Sequence, residues 1–172
     1  MNSIKIFPGW TSKSYDGLKE GRRIRLDNKD LNTTNKNFPD HVIKAGATVY
    51  QGGVNLSFGP EYVNLNLSGV YPNHTEVEVV KLFKGRFINE IDIKERRKVI
   101  VLHKKTAEIL FDKTHTDPIG QFVNAGNVVY QVVGLYNDKG DSGDSDAYLP
   151  FTTLQTIYNK GDKLNNLIMT TK

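Results

Sequence analysis

Residues 54–68, VNLSFGPEYVNLNLS, alternate apolar and polar side chains twice over, with a Gly-Pro pair between the two runs. Successive side chains of a strand point to opposite faces, so Val54, Leu56 and Phe58 share one side, as do Val63, Leu65 and Leu67. Gly59-Pro60-Glu61-Tyr62 is expected as the hairpin loop between them. Asn55, Ser57, Asn64 and Asn66 then face water. This period of two excludes an amphipathic helix and commits the segment to an antiparallel sheet covered on one side.

The other segments have to fit around that hairpin. KVIVL, residues 98–102, is a short run of apolar, mostly β-branched residues and reads as a central strand. KKTAEILF then spaces Ala107, Leu110 and Phe111 for one or two turns of amphipathic helix. IGQFVNAGNVVYQVVGLY reads as two strands around Ala125-Gly126-Asn127, closed by Gly134. AYLPF is a further strand, Leu154, Ile157 and Tyr158 mark a last short helix, and NLIMT is a final strand. Upstream, Asp27 with Asp30 three residues later is a variant of the capping box, and Leu31 and Phe38 are expected on one face of a helix that Pro39 ends. VEVVKLFKG fits either a strand or a helix, with Gly85 a stop for both. Residues 1–20 lack periodicity and read as an irregular arm with Ile4, Phe7 and Trp10 as candidate anchors. Hairpins mixed with βαβ-like crossings give an α+β class, with mixed or antiparallel sheets and short helices.

The chemistry the chain can carry is narrow. It has 172 residues and no cysteine, which removes disulfides, thiolate metal sites and cysteine nucleophiles. Glycines 134 and 140 have phosphate-loop spacing, but Asp141 stands where the lysine belongs. The histidines at 41, 74, 103 and 115 have no metal-ligand spacing and are expected at the surface or at caps. Asp138, Asp141, Asp144 and Asp146 depart from the calcium-loop pattern, with glycines where ligands are needed, and read as a solvated loop. No nucleophile sits in a G-x-S-x-G setting. The net charge of +4 comes from 23 basic and 19 acidic residues that are largely interspersed. Even the densest cluster, Glu95-Arg96-Arg97-Lys98, has Glu90 and Asp92 beside it and no interleaved aromatics, so it reads as the solvated approach to a strand and not as a nucleic-acid surface. No apolar run of about 18 residues and no signal-peptide pattern is present. Taken alone, those features describe a soluble cytosolic chain, or equally a piece cut from a longer membrane protein.

The order of the motifs decides between these. GRRIRLDNKDL, GVYPNH, KGRFINEIDIKERRKVIVL, AEILF, DPIGQFV, YQVVGLY and AYLPFTTLQ, in that sequence, resemble the extracytoplasmic (periplasmic) core domain of MacB-type ABC transporter permeases over residues 21–154. The markers are Gly85, Arg86, Phe87, Asp92, Phe111, Asp117, Pro118, Gly120, Gly134 and Pro150. The resemblance implies structural roles for them, with Gly85, Gly120 and Gly134 at turns or close backbone approaches and Pro118 stiffening the bend ahead of Gly120. It further implies two lobes: a porter-like one from residues 21–76 and 146–172, and a small α/β insert from 77–145.

The implied function is non-catalytic and needs no cofactor. Such a domain sits between the first and second membrane helices, outside the cytoplasm, and couples ATP-driven motion of those helices to substrate efflux or extraction. Its implied partners are its own membrane helices, a second permease copy, a cytoplasmic ATPase domain or subunit, and a periplasmic adaptor with an outer-membrane channel. Nucleic acid is not among them, and the isolated chain is expected to be monomeric. The alternative is a ligand-sensing or signalling domain of a permease-like membrane complex, which a pocket lined by Tyr50, Phe58 and Tyr62 would favour.

Overall fold

The computed structural model describes residues 2–78, 80–138 and 147–171. The alternating segment forms the hairpin of β3 (Val42–Phe58) and β4 (Glu61–Val70), paired from Phe58↔Glu61 to Val49↔Gly69. Its loop is tighter than expected, Gly59-Pro60 alone, because Gly59 adopts φ +56° and lets Glu61 and Tyr62 join the ladder. β3 also begins well before the alternation. Residues 45–49 are buried without interruption, since β3 passes there from its pairing with β4 to a second partner.

That partner is β11 (Asn166–Thr171), and β1 (Asn2–Ile6) pairs antiparallel on its other side, with Asn2 opposite Thr171. The arm expected to be irregular therefore starts as an edge strand. Phe7 and Trp10 are largely exposed, so they do not anchor it. Residues 9–24 fold back on themselves: Thr11 N–H donates to the Arg22 carbonyl at 2.9 Å and Ile24 N–H to that of Gly9 at 2.8 Å. Tyr15 and Leu18 exchange both backbone bonds around Asp16 (φ +49°) and Gly17 (φ +74°), the double left-handed turn whose twist suits a two-residue hairpin.

On the far side of β4 come β9 (Ala147–Pro150), β6 (Val99–His103), β8 (Val128–Asp138) and β5 (Val80–Gly85), giving the order β1-β11-β3-β4-β9-β6-β8-β5. β7 (Phe122–Ala125) pairs with β8 and touches β3. β9 runs parallel to β4 and β6 parallel to β8, so the sheet is mixed. Every residue of β6 is buried, as a central strand requires. β8 is not closed by Gly134 but runs through it to Asp138. A separate two-stranded sheet joins β2 (Leu26–Asp27) to β10 (Lys163–Leu164).

Five short α-helices, α1 (Asn28–Asn37), α2 (His74–Val77), α3 (Glu90–Glu95), α4 (Lys104–Phe111) and α5 (Phe151–Ile157), and a 3-10 turn at Asp112–Thr114 complete the described structure. Asp27 caps α1 through the reciprocal box with Asp30. Leu31 is buried, but Phe38 becomes the C-cap and turns outward. The ambiguous VEVVKLFKG divides between α2 and β5. The α5 helix comes close to β4 because Gly69 has no side chain; an added Cβ would lie 2.9 Å from that of Leu154 and 2.8 Å from Cγ1 of Val49. Among the described residues no helix is long and apolar enough to cross a membrane. Asp141, Asp144, Asp146 and the side chain of Asp138 lie outside the described residues.

Candidate functional site

Most of the marked residues converge on the end of β5. Gly85 (φ +72°) lies opposite Gly134 of β8, and the two strands approach so closely that a Cβ on Gly85 would run into the Val133 carbonyl and one on Gly134 into that of Arg86. Arg86 N–H donates to Val133 O at 2.9 Å. The chain then turns into α3, which the sequence reading missed although its signal was of a kind already used upstream. Asn89 and Asp92 form a second capping box, Asp92 N–H donating to Asn89 Oδ1 at 2.9 Å and Asn89 N–H to Asp92 Oδ2 at 3.0 Å.

Asp92 has no solvent exposure. Its charge is balanced by Arg86, whose Nη1 and Nη2 reach its two oxygens at 2.6 and 3.2 Å, with Arg97 Nη1 at 4.0 Å. Arg86 Nη1 also donates to the Phe87 carbonyl. A two-point guanidinium contact is the geometry that best offsets a buried carboxylate, and here it clips a strand end to the first turn of a helix. Alongside, Lys84 meets Asp117 at 2.7 Å, and Asp117 Oδ1 accepts Ile119 N–H at 3.1 Å. The Lys84 hydrogen bond, then that of Ile119, holds the Asp117 carboxyl below its ordinary range. Pro118 leads into Gly120 (φ +86°), whose N–H donates to Val132 at 2.8 Å. Phe111 stands apart and stacks on Phe58 with ring centroids 4.4 Å apart, while Pro150 is the N-cap of α5. These contacts are mutual, and the arrangement fastens elements together without presenting an acid, base or nucleophile.

A second buried group surrounds Tyr148, whose ring contacts His74, Phe87 and Tyr136. Of the four histidines expected at the surface or at caps, His103 caps α4 while buried, accepting Lys105 N–H on Nδ1, whereas His74 departs from that reading: it is only 4% exposed and its Nδ1 has no hydrogen-bond partner among the described residues. Burial pushes the His74 pKa down to about 4, against an opposing pull from Glu78 and with a smaller push from Lys5. Among the described residues no group of three or more His, Cys, Asp or Glu could hold a metal ion.

The basic cluster ahead of β6 is engaged within the chain at Arg97. Arg97 pairs with Glu95 at 2.7 Å, and Arg96 is the left-handed C-cap of α3 (φ +49°). The aromatics named for a sensing pocket go three separate ways, with Phe58 on Phe111 and Tyr62 70% exposed. Tyr50 instead lines an open groove of about 340 Å³ at the base of the 9–24 ribbon, together with Arg23, Ile24, Arg25, Lys160 and Lys163. Sequence reasoning missed this groove because its cations come from opposite ends of the chain and are brought together by the β2–β10 pairing.

Comparison with known proteins agrees with this architecture. A family model described as the MacB-like periplasmic core domain matches residues 1–172. The chain is 25% identical over 172 residues, 98% of its length, to the macrolide export ATP-binding/permease protein MacB of Rhodopseudomonas palustris, and 28% identical over 157 residues to that of Neisseria meningitidis. It spans 25% and 23% of those two proteins. The periplasmic region of MacB from Actinobacillus actinomycetemcomitans superposes with a TM-score of 0.80 at 23% identity, covering 99% of this chain and 75% of that one. The extracellular domain of the noncanonic ABC-type transporter YknZ from Gram-positive bacteria gives 0.71 at 24% identity, covering 86% and 74%. At those identities the structures establish the shared fold.

Proposed function

The chain belongs to the family of MacB-like periplasmic core domains, and on that premise we propose that it is the non-catalytic extracytoplasmic part of an ABC transporter permease, coupling motion of membrane helices to substrate efflux or extraction. One observation carries the coupling: Asn2 and Thr171 are register partners, so both ends of the described chain leave from one point at the edge of a continuous sheet. Helices attached there would grip the domain as one lever. A displacement of that point passes through β11 and β3 to the rest as a rigid-body movement.

The lobe division at 21–76 with 146–172, and 77–145, fits the sheet. Between those ranges the register offers few pairs: Val101↔Tyr148 joins β6 to β9 and Ser57↔Asn124 joins β7 to β3. Within each range the ladders are longer. The closed Arg86–Asp92 clip gives the insert stiffness, which a mechanical element needs more than it needs reactive groups. ATP hydrolysis falls to a separate ATP-binding part, which the curated relatives carry in their name. A second permease copy, an adaptor and an outer-membrane channel are the partners of this reading, on the extracytoplasmic face of the membrane.

The test is a cysteine pair placed across the two outer domains of the full-length permease, at exposed positions of a chain with no cysteine of its own. Oxidation is expected to stop transport and reduction to restore it. Undiminished transport by fully cross-linked permease would remove the motion-based account.

A further inference from the structure

The groove beside Tyr50 gathers four cations around one cavity. Several cations elsewhere face acids: Lys44 meets Glu90, Lys84 Asp117, Arg86 Asp92 and Lys113 Glu61. Arg23, Arg25, Lys160 and Lys163 line one cavity, and none of them forms an ion pair among the described residues. Two of these cations come from the segment leading into β2, Lys160 from the turn after α5 and Lys163 from β10, so they flank the cavity from separate parts of the chain. One acid, Asp27, is the register partner of Lys163; four cations around one cavity still leave an excess of positive charge, which an anionic occupant would offset.

The surroundings indicate what kind of anion. The cavity is open to solvent, and its lining includes Pro8, Ile24 and Tyr50 as well as the cations. The bonds Thr11 N–H to Arg22 and Ile24 N–H to Gly9 flank the pair Trp10↔Arg23, which makes that pair the non-hydrogen-bonded kind with side chains close together on one face. Trp10, 68% exposed, therefore stands next to a cation of the groove, and Tyr15, 79% exposed, lies at the ribbon tip. Aromatic side chains beside arginines are the composition of a protein-binding surface. A site for a small inorganic anion would instead be closed and built from converging donors.

We propose that the groove and the adjoining 9–24 ribbon form a docking surface for an acidic, extended polypeptide segment with apolar side chains, contributed by a partner protein. Its carboxylates would lie between the two pairs of cations and its apolar groups against Ile24, Tyr50 and Trp10. This goes beyond the coupling role and does not depend on it, because the binding is a property of this chain alone.

The probe is a fluorescein-labelled peptide alternating glutamate with leucine, titrated into the chain by fluorescence anisotropy, with a lysine–leucine peptide as control. Trp10 is the sole tryptophan, so its emission reports the same event independently. Binding is expected for the acidic peptide and not for the basic one, with a blue shift of Trp10 and backbone amide NMR shifts confined to residues 9–26, 50 and 160–165. Arg25→Glu with Lys163→Glu, both exposed, is expected to weaken binding about tenfold or more while circular dichroism stays unchanged. Trp10→Phe is expected to weaken it less and leave its salt dependence intact. Unaltered affinity in the charge-reversed variant, amide shifts elsewhere, or no binding of the acidic peptide would overturn the proposal. So would displacement of the peptide by millimolar inorganic phosphate, which would make this a small-anion site, or retention of the chain by phosphatidylglycerol vesicles without peptide binding, which would make it a lipid contact.

Discussion

Asp92 keeps a carboxylate out of contact with water, and Arg86 is the group that balances it. Arg86→Ala would leave Arg97, at 4.0 Å, as the remaining nearby cation. The loss is expected to be about 1–3 kcal/mol by chemical denaturation, with Arg86→Lys recovering part of it because an ammonium cannot make the two-point contact. An unchanged melting curve for the alanine variant would show that the clip contributes nothing. His74 makes a prediction of the opposite electrostatic kind. It is neutral in the fold with a pKa near 4 and titrates near 6.5 when unfolded, so protons favour the unfolded chain. Its contribution is fully present above about pH 6.5 and lost as the pH falls through 4; that difference corresponds to about 3 kcal/mol at most. A stability profile measured from pH 7 to 4 should flatten in His74→Asn; an identical slope in both proteins would assign acid sensitivity elsewhere.

Two helices of this fold begin with the same device, an Asx N-cap and an aspartate three residues later, at Asp27/Asp30 and Asn89/Asp92. At α1 the box sits beside the β2–β10 pairing; at α3 the second aspartate also receives Arg86. The consequences of removal should therefore differ. Asp27→Ala is expected to cost about 1 kcal/mol, the ordinary worth of an N-cap. Asn89→Ala is expected to cost more, because the lost side-chain acceptor fixes the turn whose backbone N–H, at Asn89, donates to the buried Asp92 carboxylate. Equal losses in urea unfolding would show that the caps act independently of the clip. Gly134 sets a limit of another sort. It is a strand residue in contact with the backbone of Arg86, and Gly134→Ala has to push β5 off β8. Gly120→Ala, in open space at φ +86°, meets only the left-handed penalty of about 1–2 kcal/mol. The ordering of those two alanine variants by melting temperature checks the close-approach argument.

Across the whole molecule, the long ladders hold each range of the sheet together while few register pairs join one range to the other. Both described ends meet at the β1–β11 edge. If membrane helices attach there and also pair the two permease copies, the outer domains alone retain only a small contact, of the size that dissociates readily. Sedimentation of this chain at micromolar concentration is accordingly expected to show a monomer. A tight dimer would place a substantial interface on the domain itself.

The sequence by itself determined the elements whose pattern is local. A period of two in residues 54–68 specified the hairpin, an apolar run specified β6, helical spacing specified α4, and Asp27/Asp30 specified the start of α1, because each is written in neighbours whose burial repeats with the backbone's own period. The same logic extended to Asn89/Asp92 would have found α3. β1 escaped because an edge strand buries little and its one alternation, Ile4-Lys5-Ile6, is too short to stand out; β11 offers it the ladder that makes it a strand. Gly85, Arg86, Asp92 and Gly134 were visible as an ordered set of motifs, yet their contact across β5, β8 and α3 exists only once the sheet brings residues 85 and 134 into register. Tertiary structure alone assembled the groove, since Arg23 and Lys163 share nothing in sequence and are joined by two short strands. Charge pairing along a chain can be read from spacing, but whether a cation ends up with an acid beside it depends on what the fold packs against it.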